Sequence, residues 1–178
     1  MPRYVALLAS INVGSDRLSM AELRTAFERE GIEDVETVIA SGNVLFTHEE
    51  RPTGGLEDML QWILRERFDM ESMVAVRSAE EIRSAVEDNP FTGDGADGNV
   101  HTMFLDGDAD PAQFRVLVED QAARGPERLA LGPRALYIDF AEGVAASRMT
   151  GAFLERRLGL RGVARNVRTL ARILAKMA

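Results

Sequence analysis

The chain contains no cysteine. That absence excludes a disulfide framework, zinc–thiolate and iron–sulfur centres, and any thiol nucleophile. Aromatic residues make up only 6% of the sequence, with a single tryptophan. The aromatic signature by which sheet proteins stack single-stranded RNA is therefore missing from the strands. The two histidines, His48 and His101, lie far apart in sequence and in no metal-ligand spacing, so no metal is expected. A triad of histidine with Ser41 lacks the nucleophile-elbow pattern. No apolar run approaches the roughly 20 residues that span a bilayer. The N-terminal run Val5 to Leu8 is also too short for a secretory signal core, and it passes straight into Asn12-Val13-Gly14. It reads as a first strand, and a cytoplasmic location is expected.

What is present is ordinary for a folded protein. The 178 residues are 46% hydrophobic and 28% charged, enough to bury roughly 70% of the surface the unfolded chain exposes. Charge is spread unevenly. From Arg148 onward there are eight basic residues and one acid, a segment of +7 that leaves −15 in the rest of a chain whose net charge is −8. Such asymmetry marks either an anion-binding surface or a basic tail packed against an acidic body, in the same chain or in a partner subunit.

The pattern of elements is regular. Tyr4 to Ile11 reads as a buried strand. Ser19, with Glu22 three residues on, forms a capping box for a helix carrying Leu23, Ala26 and Phe27, flanked by Leu18 and stopped at Gly31. Val35 to Ala40 and Asn43 to Thr47 read as two strands of a hairpin around the link Ser41-Gly42. Leu56, Met59, Leu60, Ile63, Leu64 and Phe68 recur at helical spacing, with Trp62 expected in the core or a lobe interface, and Met73 to Val76 is strand-like. Strand, helix, strand, strand, helix, strand is the ferredoxin-like order, an α-β plait with both helices on one face of an antiparallel sheet.

The second half repeats that order after an extra helix capped by Ser78 and Glu81. Val100 to Leu105 is a strand, and Asp110-Pro111 opens a helix. Arg128 to Leu131 and Ala135 to Phe140 are strands around Gly132-Pro133. Ser147 is placed to cap a helix closed by Gly159, and a short extended piece near Val163 precedes a final helix capped by Asn166, with Leu170, Ala171 and Leu174 opposite its basic face. The expectation is an α+β protein of two ferredoxin-like lobes, residues 1–78 and 79–178, the second with extra helices at its start and end. No repeat of residues between the lobes is evident.

Two motifs fail on context. Gly93-Asp94-Gly95-Ala96-Asp97-Gly98 spells the dinucleotide pattern, but no strand precedes it, no helix follows it, and its aspartates would repel pyrophosphate. No cofactor is expected. Asp106, Asp108 and Asp110 suggest a calcium loop, yet Pro111 and Leu117 stand where that loop needs glycine and glutamate.

Tyr4-Val5-Ala6-Leu7-Leu8, Ile11-Asn12-Val13-Gly14 and Met20-Ala21-Glu22-Leu23-Arg24, followed by Ser41-Gly42-Asn43-Val44-Leu45-Phe46, Asn89-Pro90-Phe91, Phe104-Leu105, Tyr137 and Arg165-Asn166-Val167-Arg168-Thr169, resemble in order the blocks of the DUF1697 family of bacterial proteins. The resemblance implies two ferredoxin-like lobes and no established activity. The chain departs from the family pattern at Ala9-Ser10, where Arg-Gly is usual, and at Val38-Ile39-Ala40, where Tyr-Ile-Gln is usual. It departs again at Ala164 and Val167, in place of threonine and tryptophan.

Two polar clusters remain as candidate sites. Asn12, Ser41 and Asn43 surround the end of the first strand and the hairpin, where turn chemistry alone would also place such residues. Arg165, Asn166 and Arg168 surround the start of the last helix, where backbone amides and guanidinium groups suit an anion. The first-ranked reading is a non-catalytic binding module that uses this basic segment on an anionic ligand or partner, with nucleic acid disfavoured and no membrane association. The alternatives are a small-molecule enzyme with a site between the lobes built from Asn12, Ser41, Asn43, Arg165 and Arg168, and a structural homo-oligomer.

Overall fold

The structure, a computed structural model, describes residues 1–11, 13–14 and 17–178. It contains two four-stranded antiparallel sheets of identical connectivity. The first comprises β1 (Arg3–Leu8), β2 (Glu33–Val38), β3 (Ala40–Thr47) and β4 (Val74–Ser78), in the order β2-β3-β1-β4. Its crossover helices are α1 (Met20–Glu28) and α2 (Thr53–Phe68). The second comprises β5 (Val100–Leu105), β6 (Arg128–Gly132), β7 (Ala135–Asp139) and β8 (Gly162–Asn166), in the order β6-β7-β5-β8. Its helices are α4 (Pro111–Ala122) and α5 (Gly151–Leu158). Each set is thus a ferredoxin-like βαββαβ lobe, and each is followed by one more helix, α3 (Ala79–Glu87) and α6 (Val167–Met177). The chain forms two compact units, Met1–Ile82 with Arg172–Ala178, and Arg83–Ala171. Their boundaries fall inside α3 and α6, so the last seven residues belong with the first unit.

Period-two alternation builds both cores. In the first unit Tyr4, Ala6, Leu8, Val44, Phe46, Val74 and Val76 face Leu23 and Phe27 of α1 and Leu56, Leu60 and Ile63 of α2. On the opposite face Val5, Leu7, Leu45 and Ala75 are also buried. In the second unit Met103, Leu105, Leu136 and Ile138 pack with Leu117 of α4 and with Phe153, Leu154 and Leu158 of α5. The other face of that sheet gathers Val100, Ala135 and Tyr137 with Phe91 and Val167.

Local signals set most helix ends. Ser19 Oγ accepts from Glu22 N, and Ser78 and Glu81 form a reciprocal box at 3.1 and 3.2 Å. Asp110 caps α4 through Ala112 N, and Asn166 Oδ1 accepts from Thr169 N at 2.8 Å. Four expectations need correction. Ser41-Gly42 is not the hairpin link. The chain turns at Ile39, φ +67°, and Ser41 to Asn43 form an irregularity inside β3, between the pairs Val38↔Ala40 and Thr37↔Val44. Turn-forming residues here serve a bulge instead of a loop. Ser147 does not cap α5; Thr150 does, accepting from Phe153 N. Ser147 instead closes a 3₁₀ turn and donates to Glu127. Trp62 is 41% exposed, which rules out the core half of that expectation. The buried stripe of α6 is Val167, Leu170, Ile173 and Met177, leaving Ala171 exposed.

The glycine-rich segment before β5 is a series of turns. Asp94 pairs with Arg128, whose guanidinium also holds Asp139. A Cβ on Gly95 would lie 2.9–3.1 Å from Val100 and Asp139. Close packing explains that glycine.

Candidate functional site

The register pairs that end each lobe are equivalent. In the first lobe Val5 faces Arg77 and Tyr4 faces Ser78; in the second Thr102 faces Arg165 and His101 faces Asn166. Arg77 and Arg165 therefore occupy the same place on their edge strands. Ser78 and Asn166 occupy the same cap, and α3 and α6 leave from the same point. The two guanidinium groups even bend alike, Arg77 Nη1 donating to Val76 O at 2.8 Å and Arg165 Nη1 to Ala164 O at 2.9 Å.

Their surroundings differ. Arg77 is 2% exposed and its Nη1 lies 2.7 Å from Oε2 of Glu57, a buried carboxylate of α2. Arg165 sits in a polar row. Its cross-strand neighbour is Thr102, and the next strand places Tyr137 opposite Thr102, so the three side chains share one sheet face. The corresponding row in the first lobe is Arg77, Val5 and Leu45. Thr102 Oγ1 donates to Ala85 O at 3.3 Å. Burial raises the Tyr137 phenol above its ordinary value, with the charge of Asp88 adding to the effect. Desolvation pulls the Arg165 guanidinium below its ordinary value. A desolvated cation gains more from an anion than a solvated one does.

Next to Arg165 the chain enters α6. Asn166 satisfies the Thr169 amide, and the first-turn amides of Val167 and Arg168 lie at the positive end of an 11-residue helix. Arg168, in that first turn, is exposed, and its guanidinium lies near Gly98. The matching turn of α3 instead carries Glu80 and Glu81. His101, across from Asn166, packs edge-on against Phe140 with ring centroids 4.9 Å apart. Its Nδ1 lies 3.2 Å from Asn99 O. Burial lowers its pKa, only partly offset by that bond.

Arg165, Asn166 and Arg168 are thus brought together. Ser41 and Asn43 lie two residues apart on β3 in the other unit, and Val13 N reaches Ser41 O at 3.2 Å, so the segment after β1 does return to that strand. Asn12 lies outside the described residues. Thr102 and Tyr137 escaped the reading of the sequence. The signal was there: alternation with Val100 and Phe104 puts Thr102 on an inward face, where a hydroxyl needs a reason.

The family model described as "Protein of unknown function (DUF1697)" matches residues 1–137. The chain belongs to the DUF1697 family. A solved structure, the conserved bacterial protein SP0830 from Streptococcus pneumoniae, superposes with a TM-score of 0.68 at 20% identity, covering 99% of this chain and 98% of that one. At that identity the likeness speaks for the fold alone. No curated protein matches the chain. Among the described residues no helix is long and apolar enough to cross a membrane, and no group of acidic and histidine side chains could hold a metal ion.

Proposed function

We propose that this DUF1697 protein is a non-catalytic binding module that takes a phosphate- or carboxylate-bearing ligand at the start of α6. Arg165 and Arg168 supply charge, and the first-turn amides supply directed donors. The observation that carries this reading is the opposite charge of two equivalent helix starts. One polypeptide has built the same strand–arginine–cap–helix junction twice, with Glu80 and Glu81 in the helix turn after the first arginine and Arg168 in the turn after the second. A surface selected only for solubility has no need of that contrast. The ligand is a small anion or an anionic group on a partner, because a chain of net charge −8 repels an extended polyanion. We place the protein in the cytoplasm, a setting that its cysteine-free composition fits.

Isothermal titration with inorganic phosphate at constant ionic strength tests the reading. Saturable binding that weakens at least about tenfold in both Arg165→Ala and Arg168→Ala is expected, since each removes a charge-assisted contact. Heat that never saturates in the unaltered protein, or binding untouched by both variants, refutes it.

A further inference from the structure

An edge strand offers a row of N–H and C=O groups to any strand that can approach it. Three of the four edges in this chain are engaged by helix side chains. On β4, Gln61 Oε1 accepts from Val74 N at 3.1 Å and Glu57 Oε2 from Val76 N at 2.9 Å. On β8, Glu155 Oε1 accepts from Gly162 N at 3.2 Å. On β2, Arg24 donates to Val35 O at 3.3 Å, and register shifts break the ladder. The fourth edge, β6, is different. It runs in unbroken register from Arg128↔Asp139 to Gly132↔Ala135, and among the described residues no side chain bonds its backbone. Alternate residues of an antiparallel edge turn both backbone groups outward, so β6 is open to one more strand.

The α4 side of this edge suits one further side chain. Glu127, Leu129 and Leu131 alternate onto that side, and a groove of ≈ 260 Å³ opens there against Val118, Gln121 and Ala122 of α4. Pockets for whole ligands hold roughly 300–1,000 Å³; this one is the size of a side chain. Leu129 and Leu131 are only partly buried against the core, and Val118 is exposed. Gln121 is 3% exposed. Its Nε2 donates to Glu127 Oε2 at 2.7 Å, while its Oε1 is buried and accepts from nothing among the described residues. Glu127 is met, among the described residues, by two neutral donors, Gln121 and Ser147. Arg128 completes the lining, but its guanidinium is turned to the other face of the sheet. There it bonds Asp139 and Asp94 and lies 4.7 Å from the ring centroid of Phe91, which packs with Val100, Ala135 and Tyr137. The groove therefore keeps the negative charge of Glu127. An amide oxygen and nitrogen are roughly 2.2 Å apart, so Gln121 Oε1 and Glu127 Oε2 are separated by at most about 5 Å. One ammonium spans that gap with two ordinary hydrogen bonds.

We propose that β6 takes an extended, antiparallel strand from another protein, in which a lysine follows two apolar residues at alternate positions. The apolar pair lies beside Leu131 and Leu129 and covers Val118. The lysine then falls beside Glu127, with its ammonium between that carboxylate and Gln121 Oε1. A buried acceptor without a donor is costly, and the ammonium supplies the donor. Main-chain bonds along β6 give affinity, and the groove gives the preference for a cation. A second copy of β6 offers no such cation, since Arg128, the one it carries, is held by Asp139 and Asp94. This inference is independent of the anion site.

Fluorescence anisotropy of the full chain with the peptide Thr-Val-Thr-Val-Thr-Lys-Thr, labelled at its N-terminus and amidated, tests the proposal. Saturable binding is expected. It should weaken at least about tenfold when the peptide lysine becomes glutamate, and again when the protein carries Glu127→Gln, which removes the charge but keeps an acceptor for Gln121 and Ser147. N-methylation of alternate peptide amides should abolish binding in one of the two possible sets and spare it in the other, because only every second amide faces β6. A peptide that never saturates the chain overturns the proposal, and so does a dimer of the chain that buries β6 and shuts the peptide out. Binding that survives at full strength with the glutamate peptide or with Glu127→Gln overturns it too, as does equal sensitivity to both methylation sets.

Discussion

The two lobes solve one structural problem in two ways. Each ends in an edge strand that carries an arginine, a polar cap and a departing helix. In the first lobe the junction is closed internally. Glu57 neutralises Arg77 and accepts from the Val76 amide, Gln61 takes the Val74 amide, and the following helix opens on acids. In the second lobe the helix carboxylate Glu155 accepts from Gly162. Arg165 shares its face with Thr102 and Tyr137, and the following helix opens on Arg168. The first junction is tied together by an internal ion pair, and the second is the one we propose as a binding site. Identical topology does not imply identical use.

The largest effect should come from breaking the buried pair. Glu57→Ala removes the main carboxylate partner of buried Arg77 and the acceptor of the Val76 amide, and should cost about 3–5 kcal/mol in urea unfolding. Glu155→Ala, which removes one amide contact near the surface, should cost about 1 kcal/mol. Equal losses would break the comparison. Next comes Gly132→Ala. A Cβ there would lie 2.4 Å from the Tyr137 ring and hydroxyl, so overpacking should cost about 1–3 kcal/mol; a thermal melt checks it. Ser78→Ala and Asn166→Ala should each cost about 1 kcal/mol, as cap losses do. Matching values would sharpen the equivalence of the two junctions.

The smallest effect is that of His101 on pH dependence. Burial depresses its folded pKa below the ordinary 6.5, so below about that pH the unfolded chain binds a proton that the fold resists. Stability should therefore fall as pH drops through and below that value, and His101→Gln should flatten this part of the profile. Unfolding curves of the two proteins at matched pH values measure it.

Much of this was legible in the sequence, and the reasons are local. Caps at Ser19, Ser78, Asp110 and Asn166 declare themselves because a side chain two or three residues from an amide is a short-range fact. The strand and helix order followed from periodicity, and with it the two ferredoxin-like lobes. Ser41-Gly42 and Ser147 were misplaced because turn residues signal a break in regular structure without saying which break it is. A bulge and a hairpin use the same alphabet, and Ser147 and Thr150 offer rival hydroxyls three positions apart. The equivalence of Arg77 and Arg165 was invisible for a different reason. It is a repeat of pairing register, carried by one residue in each lobe, and register emerges only when strands align. Thr102 and Tyr137 joined the candidate site through the same register.

The most direct test follows amide resonances during a titration with inorganic phosphate, since both helix starts report within one sample. The account predicts saturable shifts at Val167, Arg168 and Thr169, with Ala79, Glu80 and Glu81 unmoved. Equal movement at both helix starts, or none at α6, would contradict it.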